Sequence, residues 1–182
     1  MEIKPIAHIK TDFKRKFGIP RQSGIIEELK GEIIFEKAFR DPDFLRGIEE
    51  FSHLWLIFDF SENHRKSFSS TVRPPRLGGN RRVGVFATRS PFRPNNLGLS
   101  CVKLEKLKKD KTKGLVLCVS GVDLLDGTPI FDIKPYIPYC DCIQTSKGSF
   151  AEEKKEYKLS VFYDCELFKN IPKEKANAII KC

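Results

Sequence analysis

The residues with the clearest chemical character in this 182-residue chain are arginines. Between Glu62 and Glu105 there is no acidic residue, while the same window holds Arg65, Lys66, Arg73, Arg76, Arg81, Arg82, Arg89, Arg93 and Lys103. The chain has 33 Lys and Arg against 24 Asp and Glu, a formal net charge of +9, so these nine cations account for the whole excess. Arginine's planar fork suits phosphate, carboxylate and the faces of bases better than the point charge of lysine does. Pro74, Pro75, Gly78, Gly79, Pro91 and Pro94 interleave them, which places the cations on loops rather than along a solvated helix. The pattern favours a nucleic acid or a phosphorylated partner over a merely soluble surface, without separating tRNA from DNA or a nucleotide.

Other reactive residue types are sparse. There are three histidines, His8, His53 and His64, and His53, flanked by Ser52 and Leu54, reads as a structural residue of a strand. Six cysteines include no Cys-x-x-Cys pair and no histidine at finger spacing, so no metal is expected and reduced thiols are. No Gly-x-Gly occurs, which excludes a Rossmann fingerprint and a P-loop, and neither Gly-x-Ser-x-Gly nor His-Glu-x-x-His is present. Three stretches rich in Gly and Pro offer rigid platforms of the kind that carry binding residues: Gly18 to Gly24, Thr88 to Gly98, and Gly121 to Pro129 leading into Tyr136. Asp126 and Asp132 are candidate proton acceptors, but Asp126-Gly127 reads equally well as a turn, and Lys134 equally well as a surface lysine. No catalytic residue is assigned.

The elements that must hold these loops read mainly as strands. Pro5 to Lys10, Gly31 to Glu36, Phe51 to Phe60, Val83 to Ala87, Leu99 to Lys106, Gly114 to Ser120, Ile130 to Pro138 and Tyr157 to Phe162 are predicted strands. A helix is predicted from Asp41 as N-cap through Glu50, with Pro42 in its first turn, and a short one over Lys173 to Lys181. Phe51 to Phe60 is apolar on both alternating faces, so it needs cover on both, from a helix or from a second subunit. Asn63 to Arg82 reads as one long loop, which in a compact domain usually means function or disorder. Many short strands with few helices predict a mainly β fold: a small closed or partly open β-barrel with short helices and long functional loops. The longest apolar run, Leu54-Trp55-Leu56-Ile57-Phe58, is far too short to span a bilayer. No basic-then-apolar leader follows Met1, so a cytoplasmic protein without a membrane partner is expected.

Pro20-Arg21-Gln22, Phe51-Ser52-His53-Leu54-Trp55, Arg73 through Asn80, Val83 through Asn95 and Asp123 through Tyr136 resemble the TsaA/TrmO family. The resemblance runs over roughly residues 3 to 165. It implies a β-barrel methyltransferase domain over residues 1–165 followed by a short C-terminal extension over 166–182, where better known bacterial members carry a further domain. It implies S-adenosylmethionine as cofactor, methyl transfer to the N6 of threonylcarbamoyladenosine at tRNA position 37, and a homodimer. Carried over onto this chain, cofactor contacts fall on Pro20, Arg21, Gln22, Ser61, Glu62, Arg89, Leu99, Ser120, Gly121, Val122 and Asp123. Ser61 and Glu62 stand where the family has a different polar pair. Arg73, Arg76, Arg81, Arg82, Arg93 and Lys134 are the expected tRNA contacts. Two alternatives stand beside this reading: a non-catalytic RNA-binding barrel that kept only the arginines, and an S-adenosylmethionine-binding sensor.

Overall fold

A computed structural model describes residues 2–64, 67–152 and 162–181. The chain divides into two units, one of Met1–Asp59, Leu99–Tyr136 and Phe162–Cys182, the other of Phe60–Gly98 and Ile137–Val161.

In the first unit, strands β1 (Ala7–Thr11), β2 (Lys30–Phe35), β3 (His53–Asp59), β6 (Leu97–Asp110), β7 (Gly114–Ser120) and β8 (Pro129–Pro135) close into a barrel in the order β1-β2-β7-β6-β3-β8. Alternation dictates which side chains enter it. Leu54, Leu56 and Phe58 are buried while His53, Trp55, Ile57 and Asp59 are only half-buried, so β3 has a closed inner face and a partly open apolar outer one. Ile9, Ile33 and Leu117 pair across β1, β2 and β7 and are fully enclosed. Gly31 sits in the same interior, where a Cβ would lie 3.0 Å from Ile9 Cδ1 and 3.3 Å from Val122 Cγ1.

The predicted strand Leu99 to Lys106 is longer in the structure, reaching from Leu97 to Asp110. A bulge explains the shortfall: Leu104 pairs with Val119 but Lys106 pairs with Cys118, leaving Glu105 as an extra residue. The inward set therefore resumes one step out of phase at Leu107, and simple alternation ends too early. The β6–β7 hairpin closes on Asp110, whose Oδ1 accepts the Thr112 and Lys113 N–H groups and the Thr112 hydroxyl. Those bonds hold its carboxyl down at about 2. The predicted helix over Asp41 to Glu50 is instead two single turns, Pro42–Leu45 and Ile48–Glu50. Asp41 caps the first as expected, accepting the Asp43 N–H at 3.0 Å, but Gly47 at φ 83° breaks the run. Helix α2 (Lys173–Lys181) lies where the sequence predicts it and ion-pairs through Glu174 with Lys30 and through Lys175 with Asp12.

In the second unit, β4 (Thr71–Val72), inside the stretch expected as one loop, pairs with β5 (Val83–Gly84) just beyond it, and a turn over Pro75–Leu77 ends on Gly78. Val83 to Ala87 is strand only at its first two residues; Val85–Ala87 forms a turn. A short helix α1 (Pro138–Asp141) stands where the strand predicted from Ile130 to Pro138 was expected to end. Of the strand expected from Tyr157 to Phe162, residues 157–161 lie outside the described residues, and Phe162 is not in a strand. Among the described residues no helix is long and apolar enough to cross a membrane.

Candidate functional site

The start of β2 and the end of β7 share one rim of the barrel with the middle of β6, as the pairings Lys30 with Ser120 and Ser120 with Lys103 require. Beyond Ser120 the chain turns at Gly121, whose φ of +71° favours glycine. Its carbonyl accepts the Gly24 N–H at 2.8 Å, and a Cβ on Gly121 would stand 3.2 Å from Gly24 Cα. The loop preceding β2 is thus laid directly on the β7 turn. Two further bonds fix it: Ser23 Oγ accepts the Cys101 N–H at 3.1 Å, and Val122 N–H donates to the Leu29 carbonyl at 3.3 Å. Pro20, Arg21 and Gln22 immediately precede these anchors. Leu99, 54% exposed, lies two residues before Cys101 on β6. Of the expected cofactor contacts, then, the structure assembles Pro20–Gln22, Leu99 and Ser120–Asp123 around one rim.

Two buried serines order the polar groups of this rim. Ser100, 3% exposed, donates its hydroxyl to Asp123 Oδ1 at 2.7 Å. Ser120 donates to Glu105 Oε1 at 2.6 Å, and Glu105 also pairs with Lys103. Those two partners hold the Glu105 carboxyl below its ordinary range, the Ser120 hydroxyl contributing most. Ser23 and Ser100, which the sequence reading did not single out, are the pins of the arrangement; a serine in a strand or turn carries no sequence signal of that role.

Asp126 and Asp132, the candidate proton acceptors, are engaged elsewhere. Asp126 Oδ1 accepts the Thr11 N–H at 2.9 Å and its Oδ2 meets Lys14 Nζ at 2.6 Å, while its own N–H donates to the Phe13 carbonyl. The Lys14 ammonium chiefly, aided by the Thr11 N–H, holds this carboxyl below its ordinary range. Asp126 serves the turn. Asp132 pairs with Lys134 at 2.8 Å, so the lysine expected at an anionic substrate group already has a carboxylate beside it. His53 shares a hydrogen bond with the Ser52 hydroxyl and packs edge-on to Tyr136, whose ring also meets Trp55 at 5.8 Å between centroids.

In the second unit, Ser61 and Glu62 form an exposed turn with Asn63, and Arg89 is exposed in the loop after Thr88. That loop is internally braced: Thr88 Oγ1 donates to the Val85 carbonyl, Ser90 N–H to Thr88 Oγ1, and Asn96 Nδ2 to the Pro91 carbonyl. Arg93 donates to the carbonyls of Thr88 and Ser90, Arg82 to Thr71 Oγ1, and Arg76 to the Ala151 carbonyl. Arg73 and Arg81 are exposed and have no hydrogen bond or ion pair with any of the described residues.

The rim thus carries the Gln22 amide, whose Nε2 donates to the Arg21 carbonyl, the Asp123 carboxylate ordered by Ser100, the exposed Leu99 and turn backbone. Comparison with known proteins finds relatives over most of the chain. A tRNA (adenine(37)-N6)-methyltransferase of Escherichia coli is 39% identical over 170 residues, 93% of this chain and 72% of that protein. A protein of Pseudomonas aeruginosa named as a putative S-adenosylmethionine-dependent methyltransferase is 46% identical over 82% of this chain and 60% of its own length. The crystal structure of TrmO from Pseudomonas aeruginosa superposes with a TM-score of 0.69 at 37% identity, covering 84% of this chain and 63% of that one. This chain therefore spans 60 to 72% of the length of these three. The family model of the tRNA-methyltransferase O N-terminal domain matches residues 8–142, a stretch that includes the barrel strands save Ala7, the stapled rim and the arginine loops, and the chain belongs to that family.

Proposed function

We propose that this chain binds S-adenosylmethionine at the stapled rim and transfers its methyl group to the N6 of adenosine 37 in tRNA, the adenosine already bearing a threonylcarbamoyl arm. The observation that carries the reading is the convergence of Pro20–Gln22, Leu99 and Ser120–Asp123 on one rim, fixed by the Ser23, Gly24 and Ser100 hydrogen bonds. The cofactor, when bound, supplies a methyl group already activated on a sulfonium, so what remains for the protein is alignment and charge. Gln22 and the backbone of the two turns read the edge of an adenine. Asp123, oriented by Ser100, faces the positive charge of the ligand. Ser61, Glu62 and Arg89 belong to the second unit and are cofactor contacts on the family resemblance alone. Arg73 and Arg81, exposed and unpaired among the described residues, take tRNA phosphates, whereas Arg76, Arg82 and Arg93 hold the loops that present them. An arginine or Lys134 suits the carboxylate of the threonyl arm.

The protein acts as a cytoplasmic homodimer. The half-buried outer stripe of His53, Trp55, Ile57 and Tyr136 supports a second copy as cover. The test is incubation of the purified chain with methyl-labelled S-adenosylmethionine and tRNA with or without the threonylcarbamoyl mark, followed by nucleoside mass analysis. Methylated threonylcarbamoyladenosine from marked tRNA alone is the expected product. Cofactor binding by calorimetry without any product would favour the sensor, and RNA binding without cofactor binding would favour the non-catalytic barrel.

A further inference from the structure

Phe86 is the most exposed aromatic side chain described in the arginine-rich segment, at 78%. An isolated exposed phenylalanine is ordinary, but this one is set on a braced support. Its neighbour Val85 is 3% exposed and anchors the Val85–Ala87 turn. Thr88 closes that turn twice, donating both its N–H and its hydroxyl to the Val85 carbonyl, at 3.1 and 2.8 Å. The Arg93 guanidinium carbon lies 6.0 Å from the Phe86 ring centroid, and Arg93 is pinned by the carbonyls of Thr88 and Ser90. Val85 N–H bonds to the Ser70 carbonyl, so the segment bearing a second exposed aromatic, Phe68 at 67%, runs alongside. The segment contains no acidic residue between Glu62 and Glu105.

An aromatic face held in place, a cation on its ring and a surrounding field of arginines are the parts with which proteins grip unpaired bases. A duplex offers no free base face, so such a platform selects single-stranded loops. We infer that Phe86, with Arg93 beside it, is a stacking platform for an unpaired base of the RNA, and so selects a loop over a helix. This rests on the tRNA reading above and deepens it by naming what the second unit contacts besides phosphate.

The experiment uses the full chain, an anticodon stem-loop RNA carrying 2-aminopurine in its loop, and a fully paired duplex of equal phosphate number. The wild-type chain should bind the stem-loop more tightly than the duplex and quench the 2-aminopurine. Phe86→Ala should weaken stem-loop binding by about tenfold, abolish the quenching and leave duplex binding and the salt slope unchanged, since no charge is lost. Phe86→Tyr should restore both. Equal binding of the two RNAs by the wild-type chain, an equal loss on both, or no loss in Phe86→Ala would overturn the platform. So would a change in sedimentation of Phe86→Ala, which would make Phe86 a contact between copies. Methylation of marked tRNA is measured in parallel. Methylation without loop preference sinks the platform alone, and loop preference without methylation sinks the enzyme reading alone.

Discussion

The most informative single residue of the rim is Ser100, because its hydroxyl is buried and its acceptor is a carboxylate. Ser100→Ala leaves Asp123 Oδ1 without that donor. Hydrogen bonds to charged groups contribute about 1.5–3 kcal/mol, so urea melts should show a loss of that order. Calorimetry should show weakened S-adenosylmethionine binding as well. A stability loss with cofactor affinity intact would reduce Ser100 to a core residue and detach Asp123 from the site. Asp126 gives the opposite test. Both of its oxygens serve the turn that joins it to Thr11 and Lys14, so Asp126→Asn should leave the methyl-transfer rate at saturation unchanged while lowering stability. The pH dependence has a definite sign. A carboxyl held below its ordinary value of 3.8 contributes its stability in full above that value and loses it as pH falls through the lower folded value. Acid unfolding of Asp126→Asn should therefore be shallower than that of the wild type, and a parallel acid limb would contradict the assignment.

At the scale of elements, the decisive feature is the contact of two turns at Gly121 and Gly24. Gly121→Ala combines a left-handed backbone with a Cβ only 3.2 Å from backbone atoms that have little room to retreat. The backbone strain alone costs roughly 1–2 kcal/mol, and relief by lifting the Gly18–Gly24 loop should weaken cofactor binding more than it lowers the melting temperature. Unchanged cofactor affinity would show that the loop does not need this seat. The same contact marks where sequence reading stops. Strands such as His53–Asp59 and Gly114–Ser120 were legible because inward and outward residues alternate or run apolar. The Leu97–Asp110 strand was legible only as far as its bulge at Glu105, where the alternation changes phase. The Asp41–Glu50 segment carries a sound N-cap, yet Gly47 takes a left-handed backbone conformation and divides it into single turns. The loops at Pro20–Gln22 and Ser120–Asp123 were visible as motifs, through resemblance. Their meeting was not, since it depends on β2, β7 and β6 being neighbours and on Ser23 finding the Cys101 N–H across 78 residues.

For the whole molecule, the controlling fact is that its +9 charge resides in one acid-free stretch while the remainder is neutral. Such a distribution sets a local field rather than a general basic surface, and RNA affinity should fall steeply with salt. Five of the described arginines of that stretch fall into two kinds. Arg76, Arg82 and Arg93 donate to the protein's own carbonyl and hydroxyl oxygens, whereas Arg73 and Arg81 have no such partner among the described residues. Each phosphate contact contributes roughly 0.7–0.9 to the slope of log affinity against log salt. Removing both free arginines, as Arg73→Ala with Arg81→Ala, should therefore flatten the slope by about 1.4–1.8 for tRNA, with the melting temperature unchanged because neither braces the fold. Arg93→Ala should do the reverse: it removes the clamp on Thr88 and Ser90, so the loop destabilises and affinity falls, while the slope changes little. Filter-binding titrations of the two variants across a salt series separate these outcomes. Equal slopes for the double variant and the wild type would remove Arg73 and Arg81 from the phosphate footprint and shift the charge-bearing role to the braced arginines.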